Sequence, residues 1–177
     1  IAWSTVAMVA NSVRMVQQLV LTLVRDPHSF RMVRSFVLAA GLVASGLMAL
    51  LAFTALGRLY MEWVLGLRGG LGVVAQAAVP ALQLALFYPL MVGLQNWMQG
   101  LLVQEGRTGL VNLAALVGGA VTMAVVYAGA LVWQLPGAVL GMTAMLAGGL
   151  TELLVLYLSS RGARRKFDIH IPTLDNV

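Results

Sequence analysis

Two ionisable side chains stand well inside apolar runs of this 177-residue chain, Arg14 and Glu152. Arg14 precedes Arg25 by about 16 Å of helix, which predicts a position near the middle of a bilayer. A guanidinium at that depth has to face protein or water, where it can bind an acidic side chain or an anionic substrate. Glu152 precedes Arg161 by about 13 Å of helix. It is a candidate for ion coupling, for pairing with Arg14, or for a structural hydrogen bond to another helix.

Amide side chains surround the arginine along the same helix. Asn11, Arg14 and Gln18 follow an i, i+3, i+7 spacing, and Gln17 lies one step aside. Residues at this spacing share one helical face. The stripe predicts a cavity lining that binds substrate, or polar contacts that join helices.

A second amide cluster follows a proline further along the chain. Asn96 and Gln99 are spaced i, i+3, and Gln95 and Gln99 are spaced i, i+4. Such side chains can line a path without fixing a charge. The sequence therefore predicts substrate binding by two groups of side chains and ion coupling by Glu152. The groups are Asn11, Arg14, Gln17, Gln18 and Gln95, Asn96, Gln99.

The sequence lacks the residue patterns that catalysis or the binding of a metal or cofactor would require. The chain contains no cysteine, and His28 and His170 both fall outside the apolar runs. No acid pair has metal-ligand spacing, and neither a nucleophile elbow nor a phosphate-binding glycine loop occurs. We expect no enzyme activity, no metal and no cofactor. The net charge of +5 lies mostly between the apolar runs, so we expect no binding to nucleic acid.

Five apolar runs have to position these side chains. Hydrophobic residues make up 60% of the chain and charged residues only 10%. A bilayer core of about 30 Å needs about 20 helical residues. The sequence predicts an all-α polytopic membrane protein with transmembrane helices over about 1–24, 30–57, 71–104, 108–133 and 136–160. A basic tail covers 161–177.

The basic residues predict the orientation of these helices. Only Arg58 and Arg68 fall on one side of the membrane, whereas eight basic residues fall on the other. Positively charged loops are cytoplasmic, so we expect a multi-pass protein of the cell (inner) membrane with a cytoplasmic C-terminal tail that contacts membrane lipids. The eight are Arg25, Arg31, Arg34, Arg107, Arg161, Arg164, Arg165 and Lys166.

Proline and glycine predict local features of the helices. The third run is longer than a bilayer requires and contains Pro80 and Pro89, which predicts a bent or broken helix. Small residues predict close approach between helices. They are Gly118-Gly119, Gly148-Gly149, and Gly137 with Gly141.

Three stretches carry a family resemblance: residues 19–26, residues 99–108, and residues 135–142 followed by Gly149, Glu152 and Leu153-Leu154. Together they resemble the multidrug, oligosaccharidyl-lipid and polysaccharide exporter superfamily, most closely its progressive-ankylosis branch. Glu152 is similar to an acidic position in the final helix of that family, and Arg107 to its turn arginine. Arg14 matches no motif of the family.

The resemblance implies a twelve-helix transporter whose two six-helix lobes rock to alternate access, without a bound cofactor. The chain begins in mid-run at Ile1, so we expect a fragment that supplies most of one lobe and needs the remaining half of the transporter as partner. The implied substrate is a small anionic metabolite, such as pyrophosphate, nucleotide or citrate, or a lipid-linked molecule. Two alternatives remain open: a cation or drug antiporter coupled through Glu152, and a membrane scaffold subunit that transports nothing.

Overall fold

The structure is a computed structural model that describes residues 2–60, 63, 72–133 and 136–168. Helices account for nearly all of these residues. No strand occurs within these ranges. The helices are α1 (Ala2–Arg14), α2 (Val16–Leu23), α3 (Pro27–Phe53), α4 (Ala55–Leu59), α5 (Gly72–Leu84), α6 (Tyr88–Gln104), α7 (Thr108–Ala128), α8 (Gly137–Ser159) and α9 (Arg161–Asp168).

Five helical stretches within the described residues are long and apolar enough to cross a membrane. The all-α architecture with five candidate spans, predicted from hydropathy, is therefore confirmed, and the chain is a multi-pass helical membrane protein. The spans are Ser4–Leu23, Pro27–Phe53, Ala78–Gln104, Thr108–Val132 and Gly137–Ser159.

The second span begins with a reciprocal cap. The Ser29 backbone N–H donates to Asp26 Oδ1 over 2.8 Å, and the Asp26 backbone N–H donates to Ser29 Oγ over 3.1 Å. Pro27 occupies the first turn, where its missing N–H costs nothing. This capping box starts the helix at Pro27, three residues before the predicted boundary of 30.

We expect Asp26→Ala to lower the thermal stability of the protein in detergent more at pH 7 than at pH 3. The hydrogen bond from the Ser29 backbone N–H holds the pKa of Asp26 below its ordinary 3.8. The carboxylate therefore stabilises the fold above that ordinary pKa, and the contribution is lost as the pH falls through the lowered folded value. Melting curves at both pH values measure it. Asp26→Asn, which keeps the acceptor oxygen, is the control. A pH-independent difference would contradict this explanation.

Two spans contain interruptions. In the first span, a turn at Met15 separates α1 from α2 directly after Arg14. In the third span, a 3-10 turn over Ala85–Phe87 separates α5 from α6 just ahead of Pro89. The second interruption departs most from helical geometry at Phe87 (φ −93°, ψ 4°), and Pro89 in the first turn of α6 has no N–H to donate to the Ala85 carbonyl four residues earlier. The first has neither proline nor glycine to predict it.

The helix α6 is the centre of the bundle. It contacts α1, α2, α3, α7 and α8. Half of the third span is buried, against about a tenth of the fourth. Two apolar clusters form the core of the bundle. One contains Val20, Phe30, Trp97, Leu101 and Leu156, and the other contains Val6, Met48, Leu82 and Met142.

Glycine allows α7 and α8 to pack with their backbones in contact. A Cβ on Gly118 would lie 2.9 Å from Gly148 O, and a Cβ on Gly148 would lie 2.5 Å from Gly118 O. Thr122 Oγ1 also occupies the space that a Gly148 Cβ would need. By contrast, Gly119, Gly137 and Gly141 have nothing within 4 Å of an added Cβ. Among the described contacts, Gly118 and Gly148 thus allow the close approach of helices that the sequence predicted, whereas Gly137 and Gly141 do not take part in one.

Candidate functional site

A cluster of two amides and a carboxylate lies between α6 and α8. Gln99 Nε2 donates to Glu152 Oε1 over 3.0 Å. One turn earlier on α6, Gln95 Nε2 donates to the backbone carbonyl of Gly149 over 2.8 Å. The i, i+4 spacing of the glutamines matches the i, i+3 spacing of Gly149 and Glu152, so the two helices join at two successive levels.

Burial differs between the two levels of the cluster. Gln95 is 8% exposed, whereas Gln99 and Glu152 are half-buried. The α7 backbone lies behind the carboxylate, because a Cβ on Gly118 would come within 2.9 Å of Glu152 Cβ. The Gln95–Gly149 hydrogen bond is thus enclosed within the bundle, whereas the Gln99–Glu152 hydrogen bond is accessible from the surface of the bundle.

The partner of the carboxylate is neutral. Among the described side chains, no basic group forms an ion pair with Glu152; the ion pair that these residues do contain joins Arg107 to Glu105 at 3.9 Å, in the turn between α6 and α7. A glutamine can donate to a carboxylate, and its oxygen can accept from a protonated carboxyl. The Gln99–Glu152 pair can therefore keep a hydrogen bond whether Glu152 is charged or has taken up a proton.

The remaining candidates of α6 and α2 occupy other positions. Asn96 is half-buried, and its Nδ2 donates to Val92 O of its own helix over 2.8 Å. Gln17 is half-buried and Gln18 exposed. The α2 helix packs on α6 through Val20, whose Cβ lies 2.7 Å from where a Gly100 Cβ would be.

Of the candidates on α1, Asn11 is exposed, and the side chain of Arg14 lies outside the described residues. The backbone of Arg14 ends α1 near the middle of the first span, one residue before the interruption at Met15. No described hydrogen bond joins Asn11, Gln17 or Gln18 to the α6 cluster. The structure therefore brings together three of the predicted residues, Gln95, Gln99 and Glu152.

Sequence reasoning assigned no role in the site to three groups that support it. They are the Gly149 carbonyl, which accepts from Gln95, and the glycines Gly118 and Gly148, which bring α7 behind Glu152. The paired glycines in the sequence were a signal for close packing. They did not indicate that this packing would place α7 behind Glu152.

We expect Gln95→Met to destabilise the folded protein by about 1 kcal/mol, a common value for a hydrogen bond between membrane helices. The substitution keeps the length of the side chain and removes the bond to Gly149. Gln83→Met is the matched control, because Gln83 lies in the same span with an exposed side chain. Thermal unfolding in detergent measures both variants. Equal melting temperatures for the two would show that the Gln95 bond contributes nothing.

Within the described ranges, no three His, Asp or Glu side chains lie close enough together to hold a metal ion.

No family model matches the chain, and no curated protein or solved structure matches it either. Function has to be inferred from the contacts of the residues themselves. Chief among these contacts is the half-buried carboxylate that a neutral amide holds inside a membrane span.

Proposed function

We propose that this chain is part of a secondary membrane transporter of the multidrug, oligosaccharidyl-lipid and polysaccharide exporter superfamily. It moves an anionic metabolite or a lipid-linked substrate by alternating access, and Glu152 is its ion-coupling carboxylate. The observation that carries the proposal is the 3.0 Å hydrogen bond from Gln99 to Glu152 at an accessible level between two spans. Ionisable side chains within membrane spans are costly, and they mark ion and substrate pathways.

The environment of Glu152 supports a role in coupling. A carboxylate fixed by a lysine or arginine would stay charged, because the cation stabilises its ionised form. Gln99 imposes no such charge. Glu152 can take up and release a proton or a cation while its hydrogen bond to Gln99 persists, which is what coupling to an ion gradient requires.

The proposal that the substrate is anionic depends on Arg14. Its backbone lies near the middle of the first span, next to the interruption at Met15. Charged side chains at this depth mark substrate and ion pathways. An arginine there supplies positive charge and a fork of N–H donors for a carboxylate or phosphate.

A second candidate function is a cation or drug antiporter of the same superfamily. One observation favours it: the polar cluster that the described side chains form is acidic and neutral, with no basic member. In that case Glu152 would bind the transported cation itself or the proton exchanged for it. Both functions need the same carboxylate, and the chemistry of the substrate separates them.

The test is a flux measurement on the full-length protein in proteoliposomes. Uptake of labelled pyrophosphate, citrate and a cationic dye is measured under an imposed proton or sodium gradient, with and without Arg14→Gln. We expect anion flux that needs the gradient and is lost in the folded Arg14→Gln protein. Gradient-driven flux of the dye alone would favour the antiporter. No flux of any of these compounds would contradict transport of an anionic metabolite and leave a lipid-linked substrate or the scaffold function.

A further inference from the structure

A groove of about 500 Å³ opens on the outer surface of the bundle between α3 and α8. Trp97 and Met98 of α6 lie at its floor, 5% and 4% exposed. Exposed leucines line its sides, Leu38 from α3 and Leu154 from α8. Since both helices are membrane spans, the groove lies at the depth of the bilayer along most of its length.

Two arginines stand among these apolar walls, Arg34 of α3 and Arg164 of α9. The 27-residue span Pro27–Phe53 is about 40 Å long and exceeds the hydrocarbon core by about 10 Å. Arg34 lies about 10 Å from the start of that span, so its long side chain reaches the headgroup level. Arg164 follows the end of α8 at the same end of the bundle. The groove therefore has an apolar body and a basic mouth.

Contacts with α8 hold Arg164 at this mouth. Its Nη2 donates to the Tyr157 carbonyl over 2.8 Å, and its guanidinium carbon lies 3.9 Å from the centre of the Tyr157 ring. Tyr157 also lines the groove. The guanidinium thus occupies a defined position next to the apolar walls.

Several donors at the groove have no partner within the described part of the chain. No described acidic side chain pairs with Arg34, which is exposed. Arg164 Nε and Trp97 Nε1 are buried donors that likewise lack a hydrogen-bond partner there. Unsatisfied buried N–H groups are uncommon and call for an acceptor. Positive charge together with unfilled donors favours an anionic ligand that accepts hydrogen bonds.

We propose that the groove binds one anionic phospholipid from the leaflet at this end of the bundle. The phosphate lies between Arg34 and Arg164, and an acyl chain follows Leu38, Leu94 and Leu154 into the bilayer. A soluble anion would satisfy the arginines but leave the apolar walls uncovered. A zwitterionic lipid would cover the walls but bring its own cation to the basic mouth. Basic pockets between spans are known to hold anionic headgroups.

Native mass spectrometry of the detergent-purified protein tests this site. The probes are phosphatidylglycerol, phosphatidylcholine of equal chain length, and glycerol phosphate as the soluble anion. We expect one phosphatidylglycerol to be retained in preference to phosphatidylcholine, and Arg34→Gln to weaken that retention about fivefold. Arg31→Gln is the matched control: Arg31 lies one turn away on α3, is also exposed, and does not line the groove. It should retain the lipid as the unaltered protein does.

Tryptophan fluorescence gives a second readout that does not depend on the arginine variant. Trp3, Trp63 and Trp133 are replaced by Phe, so that Trp97 alone reports. Phosphatidylglycerol with brominated acyl chains should quench Trp97 more strongly than the brominated phosphatidylcholine. Equal quenching, or equal lipid retention by Arg34→Gln and Arg31→Gln, would overturn the proposal. Displacement of the lipid by glycerol phosphate at matched concentration would do so as well, because it would identify a site for soluble anions.

Discussion

Gly148→Ala is expected to destabilise the folded protein by about 3 kcal/mol, the upper part of the range for overpacking. The added methyl group would lie 2.5 Å from the backbone oxygen of Gly118 and would also overlap Thr122 Oγ1. A backbone atom cannot rotate away, so α7 and α8 would have to separate. Such a loss is a large fraction of the total stability of a typical protein.

Matched glycines on the same two helices provide the controls. An added Cβ at Gly141 of α8 or Gly119 of α7 would meet nothing within 4 Å. Alanine at these positions should be neutral or should raise stability by as much as ~1 kcal/mol, because alanine favours helix over glycine. Melting curves and the yield of monodisperse protein measure all three variants. Equal stability of Gly148→Ala and Gly141→Ala would show that α7 and α8 do not pack at Gly148.

Glu152→Gln is expected to lower gradient-driven flux at least about tenfold, equivalent to about 1.4 kcal/mol, while the protein stays folded. The substituted amide keeps an oxygen that can accept from Gln99, so the joint between α6 and α8 is preserved. It cannot take up a proton or carry a negative charge. The loss should therefore fall on coupling, and the remaining flux should no longer respond to the ion gradient.

Glu105→Gln is the control for the Glu152 variant. Glu105 lies in the turn after α6, outside the spans, and forms an ion pair at 3.9 Å with Arg107; the Glu105 side chain is 17% exposed and that of Arg107 55%. Its replacement removes the same charge and should leave gradient-driven flux unchanged. Glu152→Asp retains the charge and should keep part of the response. Full gradient response in Glu152→Gln would rule out coupling through this carboxylate and leave Glu152 with a structural role.

The membrane spans were predictable because their signals are local. Runs of apolar residues and the charges between them predicted five spans, and five helical stretches of sufficient length occur. Asp26 and Pro27 start α3 through a capping box that the sequence contains in full, although the predicted boundary fell three residues later. The third span changes to a 3-10 turn just ahead of Pro89, where the sequence predicted a bend.

The site was predictable only in part. Polarity within apolar runs pointed to Gln95, Gln99 and Glu152, but it gave no reason to join Gln99 with Glu152 or Gln95 with the Gly149 carbonyl. The interruption at Met15 has no residue that marks it. Tyr157 is an aromatic residue in an apolar run, and the sequence predicted no role for it. In the structure it positions Arg164 beside the groove.

The sequence by itself determined that the chain is helical, that five stretches are long and apolar enough to span a membrane, and which few polar side chains lie within them. These properties add up residue by residue along one helix. Only the tertiary structure decided that Gly148 contacts α7 while Gly141 does not, that Gln99 meets Glu152, and that Arg34 and Arg164 share one groove. Such contacts depend on the rotation and axial position of each helix against its neighbours. Both are set by close packing of side chains throughout the bundle, and no single stretch of sequence contains that information.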